Sequence, residues 1–150
     1  MASTHYQKIY LYKRVVQAKL FIDRHYAEHI DLDNIAEEAN FSKFHFIRLF
    51  KTTYGKTPHC YLTQVRIDKA KELLKENKSV MDVCFSVGFD SVTSFAGLFK
   101  KLAGLSPSAF QEQQQKIKSE MTSYPLRFIP NCFIETHGLT KNSNIQEVGS

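Results

Sequence analysis

The 150-residue chain predicts an all-α fold: two helix-turn-helix subdomains joined by a long linker helix, with a short irregular or extended C-terminal tail. Three observations carry that expectation. Apolar side chains recur at helical spacing through most of the chain, which holds only six Gly and four Pro. Ser, Thr or Asp stands before each periodic run after the first, and Gly after two of them, the start and stop signals of helices. Residues 31–62 are echoed by residues 79–110.

In the echo, Ile35, Ala39 and Phe41 return 48 positions later as Val83, Val87 and Phe89. Ser42, Phe46, Leu49, Phe50, Lys51, Gly55, Thr57, Pro58 and Tyr61 return 49 positions later as Ser91, Phe95, Leu98, Phe99, Lys100, Gly104, Ser106, Pro107 and Phe110. One residue has been added in the second copy's turn. A shared pattern whose gap falls at a turn marks a duplicated supersecondary unit.

Taken in order, residues from about Tyr6 to Tyr26 form a first helix. Its broad apolar stripe runs through Ile9, Val15 or Val16, Leu20, Phe21 and Ile22, with Lys8, Lys13, Arg14 and Lys19 elsewhere on a face expected to be solvated. Asp31 is placed to cap a helix over 32–39, and Asn40-Phe41 makes the turn. Ser42 caps a helix to about Thr53, which Gly55 ends. Thr57-Pro58 opens a long helix to about Glu76, with apolar contacts towards both flanking units. At about 1.5 Å per residue this connector is roughly 28 Å long, close to the roughly 34 Å between successive major-groove faces of DNA. Ser79 caps the next unit, Val87-Gly88-Phe89-Asp90 turns it, and Ser91 caps a helix to about Ala103, stopped by Gly104. Ser106-Pro107 starts a final helix to about residue 118. From Met121 the chain is apolar and proline-punctuated, as in Tyr124–Pro130 and Cys132–Ile134. It reads as a strap over the body or as a partner surface, and residues beyond Gly138 are polar. The divisions are 1–56 for the first subdomain, 57–78 for the linker helix, 79–118 for the second subdomain and 119–150 for the extension.

Composition narrows the function classes. The net charge is +5, unevenly placed: residues 26–39 carry five acids and no Lys or Arg, whereas residues 40–118 carry 13 Lys or Arg against six acids. The positive excess lies across the repeat and its connector, where phosphates would be met. There is no apolar run of membrane-spanning length and no apolar signal-peptide core, so no membrane partner is expected. Cys60, Cys84 and Cys132 are few and scattered, consistent with a reduced cytoplasmic setting. His25 and His29 are four apart, but with no evident third ligand no metal site is expected. His45 has no motif partner for catalysis.

The chemistry expected of the repeat sits on the outward faces of its second helices. Phe46, Leu49 and Phe50 should point inward, leaving Lys43, Phe44, Ile47, Arg48 and Lys51 outward. Arg48 can pair with guanine O6 and N7, while Phe44 and Ile47 can touch thymine methyls; the plainer reading packs Phe44 and Ile47 on neighbouring helices. In the second copy Val92, Thr93, Ala96 and Gly97 take the outward positions. That helix is expected to grip phosphates more than it reads bases. Gly97 fits either close backbone approach to DNA or a tight helix–helix contact. From the residues themselves, base readout is assigned to Phe44, Ile47 and Arg48, and phosphate contact to Ser42, Lys43, Lys51, Ser91, Lys100 and Lys101.

These stretches — LDNIAEEANFSKFHFIRLFKTTYGKTPHCYL, the connector TQVRIDKAKELL, and VGFDSVTSFAGLFKKLAGLSPSAF — resemble the DNA-binding region of the AraC/XylS family of bacterial transcription regulators over about residues 6–118. The resemblance implies recognition helices in adjacent major grooves of double-stranded DNA, with the family's base-reading positions falling on Phe44, Ile47, Arg48, Val92, Thr93 and Gly97. The family often closes its second motif with P-x-x-Y-R, where this chain has Pro107-Ser-Ala-Phe110-Gln111. The few residues before the first helix leave no room for a sensor domain. The expectation is therefore a stand-alone, monomeric DNA-binding regulator, an activator touching RNA polymerase, with no cofactor, small-molecule ligand or enzymatic activity. Two alternatives stay open: an interaction module docking on RNA polymerase or another regulator, and a DNA-repair alkyl-transfer protein, which would need an activated cysteine. The target sequence and the regulated genes are not legible from the chain.

Overall fold

A computed structural model describes residues 2–33, 36, 42–124 and 129–130, with side chains from residue 8 onward. Its main helices are α1 (Ala2–His25), α2 (Lys43–Tyr54), α3 (Pro58–Lys75), α4 (Val80–Ser86), α5 (Val92–Ala103) and α6 (Pro107–Ser123). No strand occurs among the described residues, and the expected all-α class is what the chain adopts.

Each helix after α1 starts where a short polar side chain can accept from a first-turn amide that has no intrahelical partner. Thr57 Oγ1 accepts from Cys60 N and Ser79 Oγ from Asp82 N. Ser106 Oγ accepts from Ala109 N, with Pro107 in the first turn. Asp31 Oδ1 accepts from Asp33 N at 2.9 Å, as a cap for the expected helix over 32–39 should. Residues 32, 33 and 36 are helical; the remainder of that helix and the Asn40-Phe41 turn lie outside the described residues. The last helix runs through Ser123 instead of ending near residue 118. No Gly or Pro interrupts residues 108–123, and the first brake is Pro125, which disfavours helical backbone at the residue before it. Most of the expected strap, including Cys132, falls outside the described residues.

Two hydrophobic cores hold the helices. The first gathers Val15, Ala18 and Ile22 of α1 with Ala36, Phe46 and Phe50, and Leu62 of α3. The second gathers Val83 and Cys84 of α4 with Val87 at its C-cap, Phe95 and Phe99 of α5, and Ile67, Ala70 and Leu74 of α3. The connector α3 therefore lends its first turns to one core and its remaining turns to the other. Tyr26 packs against both. The phenylalanines repeat their geometry as well as their sequence: Phe46–Phe50 centroids are 5.9 Å apart and Phe95–Phe99 centroids 5.7 Å.

At the departure from the family ending, Phe110 sets its ring edge-on to Phe99 at 5.5 Å. Gln111 Nε2 donates to Lys78 O at 2.7 Å, satisfying a carbonyl just past the end of α3. The amide thus ties α6 to the loop between α3 and α4.

Candidate nucleic-acid interface

The two candidate reading helices, α2 and α5, are each 12 residues long and framed alike. Ser42 Oγ accepts from His45 N and Ser91 Oγ from Ser94 N, both at 3.3 Å. Their stops match too: Gly55 and Gly104 adopt φ of 72° and 80° and donate to Lys51 O and Lys100 O. This left-handed closure ends each helix after the same number of turns. The capping hydroxyls accept from the backbone and still carry a proton to donate outward. At such a terminus, where amides already favour negative charge, that proton suits a phosphate.

The inward faces are as expected: Phe46, Phe50, Phe95 and Phe99 are buried, with Leu49 and Leu98 half-buried beside them. On the outward face of α2, Phe44 is 78% exposed, and Arg48, one turn on, is exposed as well. Among the described residues the Arg48 guanidinium has no hydrogen-bond or ion-pair partner. The Phe44 ring and the Arg48 guanidinium, one turn apart on the exposed face, form a surface able to meet a base edge.

Two of the proposed base readers sit differently from expectation. Ile47 is half-buried and packs on the first core. With Phe46 it lines a cleft whose other wall is formed by Ile30, Asp31, Leu32 and Asp33. Val92 is likewise half-buried against the second core. Both are corrected from outward-standing residues to margin residues whose apolar edges only partly face solvent. Thr93 and Gly97 are exposed. A Cβ built on Gly97 would meet nothing within 4 Å, so among the described residues no tight helix–helix contact requires this glycine.

Of the phosphate candidates, Lys51, Lys100 and Lys101 are exposed and occupy the last turns of α2 and α5. Lys43 is engaged: its Nζ lies 2.8 Å from Asp33 Oδ2, both side chains more than half exposed. Exposed pairs are worth about 0–1 kcal/mol, so Lys43 can exchange Asp33 for a phosphate at little cost, but it is not a ready-made contact.

Sequence reasoning missed Arg66. Its Nε donates to Tyr26 O at 2.7 Å and its Nη2 to Glu28 O at 3.0 Å, while the guanidinium lies 5.6 Å from the Phe89 ring centroid. Burial pushes its pKa down and Asp90 opposes that shift. No motif signal marks these contacts, because two of the partners are backbone carbonyls 40 and 38 residues away.

This is a pair of like-framed helices in one chain, each presenting an outward face flanked by cations: the architecture of a double helix-turn-helix DNA-binding domain. Comparison with known proteins agrees. The family described as "Helix-turn-helix domain" matches residues 35–113, more than half the chain, and the chain belongs to it, within the AraC-type branch that its sequence resembles. The MmsAB operon regulatory protein of Pseudomonas aeruginosa is 35% identical over 94 residues, covering 62% of this chain and 31% of that protein. The HTH-type transcriptional activator AarP of Providencia stuartii is 34% identical over 93 residues, 61% of this chain and 69% of that one. Among solved structures, the DNA-binding domain of AdpA in complex with a target DNA superposes with a TM-score of 0.62 at 26% identity, covering 74% of this chain and 96% of that one. The chain spans only 25–46% of the first three curated relatives it matches.

Proposed function

We propose that this chain is a sequence-specific DNA-binding transcription regulator that sets α2 and α5 into adjacent major grooves of one face of the duplex. The observation that carries the reading is the pair of identically capped and stopped helices whose outward faces carry Phe44 and Arg48 in one case and Thr93 and Gly97 in the other. The similarity to a DNA-binding domain solved on its target supports it. Base readout is assigned chiefly to Phe44, Arg48 and Thr93, with Gly97 admitting the groove wall and Ile47 and Val92 contributing apolar edges. Phosphate contact is assigned to Ser42, Lys51, Ser91, Lys100 and Lys101, and to Lys43 after release from Asp33.

The unequal faces support an asymmetric site bound by a monomer, since one chain already carries two different reading helices. The 1–56, 57–78, 79–118 and 119–150 division follows the same logic, with one core on each side of the connector. An activating role is supported by likeness to AarP, an activator by its own description. Activation needs a face for RNA polymerase, and exposed Ile9, Tyr12, Val16 and Leu20 on α1 offer one. We assign no enzymatic role. Alkyl transfer needs an activated thiol, and at Cys84 burial and, less strongly, Asp90 raise the pKa and disfavour the thiolate. No described helix is long and apolar enough to cross a membrane, and the reading places the chain in the cytoplasm with its DNA.

Selection from randomised DNA followed by footprinting tests the proposal. Two protected elements about 10–10.5 base pairs apart on one face are expected. A single protected element, or enrichment of no sequence, would refute it.

A further inference from the structure

The two units meet at a junction that the repeat does not encode. The chain leaving α1 presents three successive carbonyls, Tyr26 O, Ala27 O and Glu28 O, towards the second unit. Arg66, near the middle of α3, uses its fork on the first and third of them, at 2.7 and 3.0 Å. The central carbon of the same guanidinium lies over the Phe89 ring, 5.6 Å from its centroid. Phe89 is the turn residue that also packs on Phe95 at 5.3 Å, and Phe95 belongs to the reading helix α5. Gly88, just before it, completes the fit. Its backbone has φ of 92°, and a Cβ there would stand 2.9 Å from Ala27 O and 3.0 Å from Tyr26 O. Only a glycine lets the second turn come this close.

From this we infer that Arg66 and Gly88 form a lock that fixes the orientation of α5 relative to α2, and so sets the groove spacing the protein accepts. The inference rests on the two-groove reading above. Arg66 is a positioning residue: it reaches DNA only through the helix whose placement it holds. Packing of α3 into both cores sets the coarse angle between the units and leaves only small adjustments of side-chain packing on that one helix. The lock adds contacts on a second line, from the end of α1 to the second turn, and narrows that remaining freedom. The chemistry is specific to a guanidinium. A lysine offers a point charge that cannot fork two carbonyls and stack on a ring together.

Arg66→Ala, Arg66→Lys and Gly88→Ala test this with two readouts. The first needs no DNA: backbone residual dipolar couplings of the full chain. The wild type should fit one alignment tensor for both units. Arg66→Ala should require two, while amide shifts remote from the junction stay in place to show that each unit is folded. The second is affinity for the selected site when the spacer between its two elements is changed by one base pair, a rotation of roughly 35°. The wild type should lose more than about tenfold and Arg66→Ala less than about threefold. Arg66→Lys should behave as Arg66→Ala does, and Gly88→Ala should shift the preferred spacer. A single tensor in Arg66→Ala, or a spacer penalty equal to that of the wild type, overturns the lock. If the wild type selects no sequence, the two-groove reading fails instead, and the dipolar couplings still decide whether the lock exists.

Discussion

Replacing Gly97 with alanine should make the protein more stable and worse at its task. Gly97 lies within the 12-residue helix α5, is exposed, and would meet nothing within 4 Å if given a Cβ. In such a place the substitution removes glycine's helix penalty of about 1 kcal/mol without steric cost. A chain of this size unfolds with an entropy of about 0.3 kcal/mol/K, so Tm should rise by about 3 °C. DNA binding should move the other way. If the groove wall approaches the α5 backbone at this position, the added methyl forces a shift of the kind that costs about 1–3 kcal/mol in a packed interface, or roughly 5- to 150-fold in Kd. Calorimetry and fluorescence anisotropy on the selected site measure the two quantities. A higher Tm with unchanged Kd would refute close approach, and a lower Tm would refute the open surroundings of Gly97.

The remaining predictions separate reading from gripping and probe the folded core. Arg48→Ala should cost roughly 1–3 kcal/mol on the selected site and relax preference at one base pair, whereas Lys101→Ala should weaken all sequences alike and lower the salt slope by about one; anisotropy titrations on matched, mutated and random duplexes from low to physiological salt distinguish them. Stability should fall as pH rises past about 10, because Tyr61 is raised first by burial and then by its 2.8 Å bond to Asp23. Lys19, raised by its own bond to Asp23, loses its contribution in the same alkaline range. Each group stabilises the fold fully below its unfolded pKa and loses that contribution as pH climbs through the higher folded value. Urea midpoints at pH 8 and 11 should therefore converge in part for Tyr61→Phe, and an unchanged difference between them would reject the assignment.

The local signals in the chain were read well because they act over three or four residues. Ser42, Thr57, Ser79, Ser91 and Ser106 each cap the helix they precede, and Gly55 and Gly104 stop the helices they follow, since a cap and its amide lie in one turn. Phe46, Phe50, Phe95 and Phe99 were legible because helical period alone puts them on one side. Ile47 and Val92 were not. Helical period gives the direction of a side chain but not how far the neighbouring wall reaches around the helix, and both sit where that wall ends. Arg66 and Gly88 lay further out of reach: a guanidinium bound to backbone carbonyls, and a glycine placed for a contact some 60 residues distant in sequence, leave no local pattern. Phe44 and Arg48 were visible as an aromatic residue and a cation one turn apart. Lys43 was visible as a cation, but its tie to Asp33 was not.

The division of α3 between two cores makes that helix a ruler with both ends fixed. Leu62 is set in one core, and Ile67, Ala70 and Leu74 in the other. Inserting a single residue between Leu62 and Ile67 would turn one unit by about 100° and slide it by about 1.5 Å relative to its partner. Both cores would lose register, and the reading helices would point to different sides of the duplex. A turn absorbs an extra residue with no such consequence. The one-residue difference between the two copies lies in a turn, where the chain can change length without changing the site it measures.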